Sequence, residues 1–234
     1  MVIKFPLRYM CIFLGVCLCF YSFVPSFSNH RKLVLSSAQQ EHVMILDPGH
    51  GGLDGGAVGI YGNKESEINL QICLKTKALC SLLGIPHAMT RTSETLIYPQ
   101  DAESIADKKL ADQNARIEFI RSIPNGIVYS IHQNAYPSPS VSGFQVLYGH
   151  NDSSVKLGQI IQQSYNDKLT ATRRIATEIP NNIYLFRHID GTAVLIECGF
   201  ISNKQDSELL QTDSYQVKLS TVFTAAHLQF INTI

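Results

Sequence analysis

The chain has 234 residues, 45% of them hydrophobic, with 19 basic and 19 acidic side chains that cancel in formal charge. That is enough apolar material for one good core and marginal for two domains. Balanced charge without a basic stripe excludes the electrostatic footprint of a nucleic-acid binder, and the absence of low-complexity runs excludes a disordered chain.

Residues 1–8 carry Lys4 and Arg8 and no acid, Tyr9–Val24 is apolar, and Pro25, Ser26, Phe27 and Ser28 follow. This layout predicts a secretory signal in residues 1–28, either cleaved near the serines or kept as a membrane anchor. Residues 29–41 then form a polar linker, and residues 42–234 form the domain. Cys11, Cys17 and Cys19 fall inside the apolar run. The remaining Cys73, Cys80 and Cys198 are an odd number, which argues against a disulfide framework.

His42–Leu46 is a strand candidate, ended by Asp47, Pro48 and Gly49; glycines 49, 51, 52, 55 and 56 demand a loop. Glu65–Leu83 has helical periodicity and stops at Gly84 and Pro86. A short strand is expected over Pro86–Thr90, a helix over Ser104–Ile120, and strands over Ile127–Ile131 and Gly143–Tyr148. Val155–Leu169 reads as a helix, Ile183–Phe186 as a short strand, Ala193–Ile196 as a buried strand and Val217–Ile231 as an amphipathic helix. Strands alternating with helices predict an α/β sandwich whose functional residues sit at strand ends.

Four residues stand at such ends or a short loop beyond them: His50, Glu65, His132 and Glu197. Two imidazoles and a carboxylate suit a zinc ion that keeps one position open for water, and a second carboxylate suits proton transfer. A plainer account fits each residue as well. A histidine after a strand can be a loop hydrogen-bonder, Glu65 a first-turn carboxylate facing the helix dipole, and Glu197 half of an ion pair with Arg187. The spacing matches no compact zinc motif.

The segments around these residues are LDPGHGGLDGGAVG from Leu46, KESEINL from Lys64, MTR ending at Arg91, SIHQNA from Ser130 and AVLIECGFISN from Ala193. Together they resemble zinc-dependent N-acetylmuramoyl-L-alanine amidases, in the family's order and across residues 42–234. The resemblance implies a single domain with a mixed, roughly six-stranded sheet flanked by helices. It implies Zn²⁺ held by His50, Glu65 and His132, with Glu197 as the catalytic glutamate. The substrate would be peptidoglycan, cut between N-acetylmuramic acid and L-alanine. Two other expectations stand beside it: a zinc carboxypeptidase or endopeptidase on wall peptides, and a non-catalytic wall-binding module.

Only ten residues separate His132 from Gly143, too few for a long blocking helix, and no wall-binding repeat is recognisable. In this the chain resembles the germination-specific amidases of spore formers, which strip cortex peptides on the way to muramic-δ-lactam. That implies action in the forespore intermembrane space or cortex. Without a wall-targeting repeat, an activating partner protein that favours the zinc-competent state is also expected.

Around the four, Glu67 creates a register ambiguity with Glu65, and Glu65 is preferred because Glu67 continues into the helix. Asp47 can orient His50 or cap the Pro48 turn. Gln133 can bond substrate or face solvent from a loop. Arg187 can orient Glu197, hold a peptide carboxylate or lie over Phe186. Cys198 is expected in the core, and His42, His87, His150 and His227 carry no assigned role.

Overall fold

Alternation along three adjacent strands decides which side of the sheet each candidate residue faces. The computed structural model describes residues 41–96, 98–99, 102–169 and 174–234. The expected export segment, and the linker up to Gln40, lie outside them. The strands are β1 (Val43–Pro48), β2 (His87–Met89), β3 (Gly126–Asn134), β4 (Gln145–Tyr148), β5 (Thr177–Glu178) and β6 (Ala193–Phe200). The helices are α1 (Glu65–Leu83), α2 (Ile105–Arg121), α3 (Asp152–Lys168), α4 (Tyr184–His188), α5 (Lys204–Leu210) and α6 (Asp213–Ile231).

They form one mixed six-stranded sheet in the order β2-β1-β3-β6-β4-β5. Strands β2, β1, β3 and β6 are parallel, β4 runs antiparallel to β6, and β5 follows the direction of β4.

On one face, Met44 and Leu46, Tyr129 and Ile131, and Val194, Ile196 and Cys198 pack with α1, α3 and α6 into the main core. On the other, Ile45, Val128, Ala193 and Leu195 meet Ile117 and Ile120 of α2 and Leu185 and Phe186 of α4. Side chains two apart share a face. Extending that count puts Asp47, Ser130, His132 and Glu197 on the α2–α4 side, at the carboxyl ends of the parallel strands. His132 and Glu197 are direct cross-strand partners.

The main core is dense in aromatics. Phe144 stacks on Tyr165 with ring centroids 4.0 Å apart, and Phe223 lies beside it; truncating such a ring costs roughly 3–5 kcal/mol. Cys73, Cys80 and Cys198 are free and buried, so this core holds without a disulfide among the described residues. Local chemistry ends the helices where expected. Gly84 takes the left-handed conformation (φ 68°) and closes α1 onto the Cys80 carbonyl. Ser104 and Asp107 form a reciprocal capping box at the start of α2.

The structure departs from the sequence reading at Ile183–Phe186, which begins the short helix α4 rather than a strand. Leu185 and Phe186 are adjacent and both face the same core cluster, which strand alternation forbids, and Arg187 N–H donates to the Ile183 carbonyl (3.2 Å) to close the turn. The edge of the sheet is taken by β5, which the periodicity did not mark, and α5 was likewise unforeseen. Strands β3 and β6 also run further than expected, so His132 and Glu197 sit within strands rather than after them. Among the described residues, no helix is long and apolar enough to cross a membrane.

Candidate functional site

Glu65 is the hub. It opens α1, whose first turn is anchored by a reciprocal pair: Glu65 N–H donates to the Ala57 carbonyl, and Ala57 N–H donates to Glu65 Oε2, both at 2.9 Å. Its other oxygen, Oε1, lies 3.3 Å from His50 Nε2 and 3.0 Å from His132 Nδ1. The Gln133 backbone N–H also donates to it (3.0 Å). Among the described residues, His50, Glu65 and His132 form a group whose ligand atoms all lie within 4.8 Å of one another. Glu67, two positions on, is exposed and takes no part.

The strands and loop bring the imidazoles together with little room to spare. The two rings meet edge to face, with centroids 5.0 Å apart. A Cβ at Gly49 would overlap the His132 ring, and one at Gly56 (φ 68°) would come 2.6 Å from Glu65 Oε2. Glycine is required at both places because the backbone passes against the site.

The donor set fits a divalent zinc-like cation: two nitrogens and a carboxylate, with a hydrogen-bond acceptor behind His50. That acceptor is Asp54, whose Oδ2 lies 2.9 Å from His50 Nδ1. Asp54 is held in its ionised form: His50 and Lys109 outweigh burial and pull its carboxyl below the ordinary value. An ionised Asp54 favours a proton on Nδ1, which leaves Nε2 turned toward Glu65 as the nitrogen that a cation would take. Burial alone would lower the His50 pKa, but Glu65 and Asp54 raise it to about 9. Burial likewise works against Glu65 ionisation, yet hydrogen bonds and charge from His132 and His50 hold Glu65 well below the usual carboxylate range.

Glu197 stands across the strand pair from His132 and is chemically different. Burial, reinforced by the Glu65 charge and opposed by both histidines, raises its pKa to about 7. Its Oε2 is a buried atom with no hydrogen-bond partner among the described residues. The two carboxylates thus have opposite preferences, one ionised and one poised near neutrality, which is how a site separates a ligand from an acid–base group. A groove of about 530 Å³ opens onto Glu197. His132 and Glu197 line it together with Lys109, Gln113, Asn182 and Tyr184.

Three other expectations resolve differently. Asp47 neither orients His50 nor caps the Pro48 turn. It faces α2 and accepts from Arg116 (2.7 Å), Thr90 (2.7 Å) and Ser130 (2.7 Å). Gln133 is not a solvent-facing loop residue but 4% exposed, on the α1 side of β3, where Nε2 donates to Asn69 (3.0 Å). Arg187 is exposed, pairs with no carboxylate among the described contacts and lines a different surface hollow with His150 and Asp190.

Residues to which the sequence reading gave no role complete the frame. Asn69, one helical turn after Glu65, donates to Gly49 O (3.1 Å) and lies 3.4 Å from Glu65 Oε1. Arg91 and Arg116, both buried, bond the carbonyls of the turn before His50. The one signal for Asn69 was its i,i+4 spacing from Glu65. Asp54 was an acid inside a glycine loop, and nothing local marked Arg116.

Residues 44–226 match the family described as N-acetylmuramoyl-L-alanine amidase. A germination-specific N-acetylmuramoyl-L-alanine amidase of Bacillus subtilis is 32% identical, over 92% of this chain and 91% of its own. The amidase AmiA of Escherichia coli is 23% identical, over 88% of this chain and 81% of its own. Among solved structures, the CwlD amidase of Clostridioides difficile, in complex with the GerS lipoprotein, superposes with a TM-score of 0.79 at 28% identity. It covers 83% of this chain and 100% of that one.

Proposed function

The chain belongs to the N-acetylmuramoyl-L-alanine amidase family, and from that premise we propose that it is a zinc enzyme of spore-cortex peptidoglycan. The bond cut joins the lactyl group of N-acetylmuramic acid to the L-alanine of the stem peptide. His50, Glu65 and His132 hold the zinc, and Glu197 is the catalytic residue. The observation that carries this reading is an ionised Glu65 bonded to both His50 and His132, set beside a buried, partnerless oxygen on Glu197, the cross-strand partner of His132.

When bound, zinc polarises the scissile carbonyl and makes an attacking water more acidic. Glu197 then does the proton work: buried, and with no partner on Oε2, it accepts a proton from that water and returns it to the departing L-alanine amine. Asp54 keeps the His50 tautomer that presents Nε2. The groove between α2 and the Asn182–Phe186 segment has a volume in the range of small-ligand sites and leads to Glu197, as a stem peptide requires.

Residues 42–234 are assigned as the catalytic domain, and residues 1–28 as an export signal or membrane anchor that delivers it to the cortex. The germination-specific relative in Bacillus subtilis supports the cortex as the site of action. The Clostridioides difficile structure, a complex with a lipoprotein, supports an activating partner protein for this chain too.

Glu197→Gln tests the mechanism. It is expected to keep zinc, by elemental analysis, and to lose release of L-alanine-headed peptides from cortex fragments, by mass spectrometry. Equal turnover by variant and wild type would overturn the role of Glu197. Cortex from cells lacking the chain is expected to lose muramic-δ-lactam; unchanged lactam would overturn the cortex assignment.

A further inference from the structure

His50 sits in the left-handed region, with φ 60°, one of two non-glycine residues with positive φ among the described residues. A side chain there persists only when its surroundings over-determine it. The cause is visible in the turn that precedes it. Pro48 O accepts from Arg116 Nη1 (2.7 Å) and Arg91 Nε (3.0 Å), and Gly49 O from Arg91 Nη2 and Asn69 Nδ2 (both 3.1 Å). His50 O accepts from Arg116 Nη2 (2.6 Å). Three successive carbonyls are thus held by side chains from α1, α2 and the segment after β2.

Arg116 is the member of this frame that reaches His50 itself. It is 3% exposed, and each nitrogen has a task. Nε meets Asp112 Oδ2 (2.8 Å), Nη1 meets Asp47 Oδ1 (2.7 Å) as well as Pro48 O, and Nη2 meets His50 O. A planar guanidinium can serve acceptors in these separate directions at once; a lysine ammonium is a single point and cannot.

Taking the zinc reading above as its basis, we infer that Arg116 is a positioning residue for the metal centre. It acts through the main chain, holding the Pro48 and His50 carbonyls so that the His50 imidazole meets Glu65 and His132. It touches neither the metal nor the substrate. Its loss relaxes the His50 backbone, and the site loses a ligand's alignment rather than a ligand.

The test is Co²⁺ binding to the whole chain, followed by ligand-field absorption, in wild type, Arg116→Lys, Asp112→Asn and Phe230→Leu. Phe230 lies in the main core near the end of α6, where Lys156 bonds Thr233 O, and serves as a stability control. Arg116→Lys is expected to weaken Co²⁺ binding by about 10–100-fold, as losses behind a metal ligand do, and to change the cobalt spectrum. Asp112→Asn, which frees one side of the guanidinium, is expected to weaken it by about threefold or more. Phe230→Leu lowers the melting temperature and leaves Co²⁺ affinity and spectrum unchanged.

Wild-type affinity in a folded Arg116→Lys would overturn the inference, as would an equal affinity loss in Phe230→Leu at equal loss of melting temperature. If Arg116→Lys does not fold, by circular dichroism, Asp112→Asn decides on the threefold criterion. A wild-type chain that binds no Co²⁺ would refute the metal reading itself, and this inference with it.

Discussion

Asp47→Ala should be among the most damaging single changes available outside the main core. The Asp47–Arg116 pair is 2.7 Å long, with both side chains 3% exposed, so solvent screens it little. Removing one partner of such a pair costs roughly 3–5 kcal/mol, because the other charge is left buried. Asp112, still 2.8 Å from Arg116 Nε, holds the loss to the lower part of that range.

Two hydroxyls, Thr90 and Ser130, lose their acceptor as well, at about 1 kcal/mol each where no replacement is found. The sum is about 5 kcal/mol, a large share of a typical domain's stability of about 5–15 kcal/mol. For a domain of this size, that shifts Tm by roughly 10–20 °C.

Calorimetry on both proteins measures the shift. Arg116 and the two hydroxyls, working against burial, hold the Asp47 carboxyl below its ordinary value. A depressed carboxylate contributes fully above its unfolded pKa and loses that contribution as pH falls through the folded one. The gap between wild type and variant should therefore be constant above about pH 5 and shrink below about pH 4. A Tm within about 3 °C of wild type at pH 7, or a gap that grows in acid, would refute the reasoning.

Asp54→Ala should weaken zinc binding by about 10–100-fold by calorimetric titration, because His50 Nδ1 loses the acceptor that orients the ring; unchanged affinity would show that the loop alone aligns His50. His227 is buried against Tyr129, and burial lowers its pKa to about 4, below the value of about 6.5 for an unfolded chain. Its contribution is complete above about pH 6.5 and lost as pH falls toward 4, so urea midpoints should drop over that window and His227→Gln should flatten the drop; a midpoint that rises on acidification has the wrong sign. Arg187→Ala should leave turnover unchanged and stability within about 0.5 kcal/mol, since the side chain is exposed and faces away from the groove; a fall in turnover would return it to the site.

The candidate residues were legible because strand ends are local features. An apolar run of four or five residues announces a strand, and residues toward its carboxyl end, as His132 and Glu197 are, reach that edge of the sheet. Glu65 was preferred over Glu67 because Glu67 continues into the helix, and helix phase explains the outcome: Glu67, displaced by about 200° from Glu65, is exposed. Alternation along β6 put Cys198 in the core and Glu197 on the opposite face, as that residue pattern demands.

What stayed illegible depends on partners far along the chain. Asp47 is three residues from His50, and proximity suggested that one serves the other. Instead β1 aims Asp47 at an arginine 69 positions away, and the glycine loop folds back so that Asp54 takes the histidine. Ile183–Phe186 is as apolar as a strand, but only the position of α2 shows that Leu185 and Phe186 must both face the same core.

Periodicity, which acts within a few positions, thus pointed to the class of fold, while the quartet came from the motif segments and their resemblance to a family. The structure draws His50, Glu65 and His132 together and sets Glu197 opposite His132. Tertiary structure decided how the quartet is held. The turn before His50 is fixed by Arg91, Arg116 and Asn69, whose guanidinium and amide groups find their carbonyl acceptors only after the sheet and its flanking helices have closed around them.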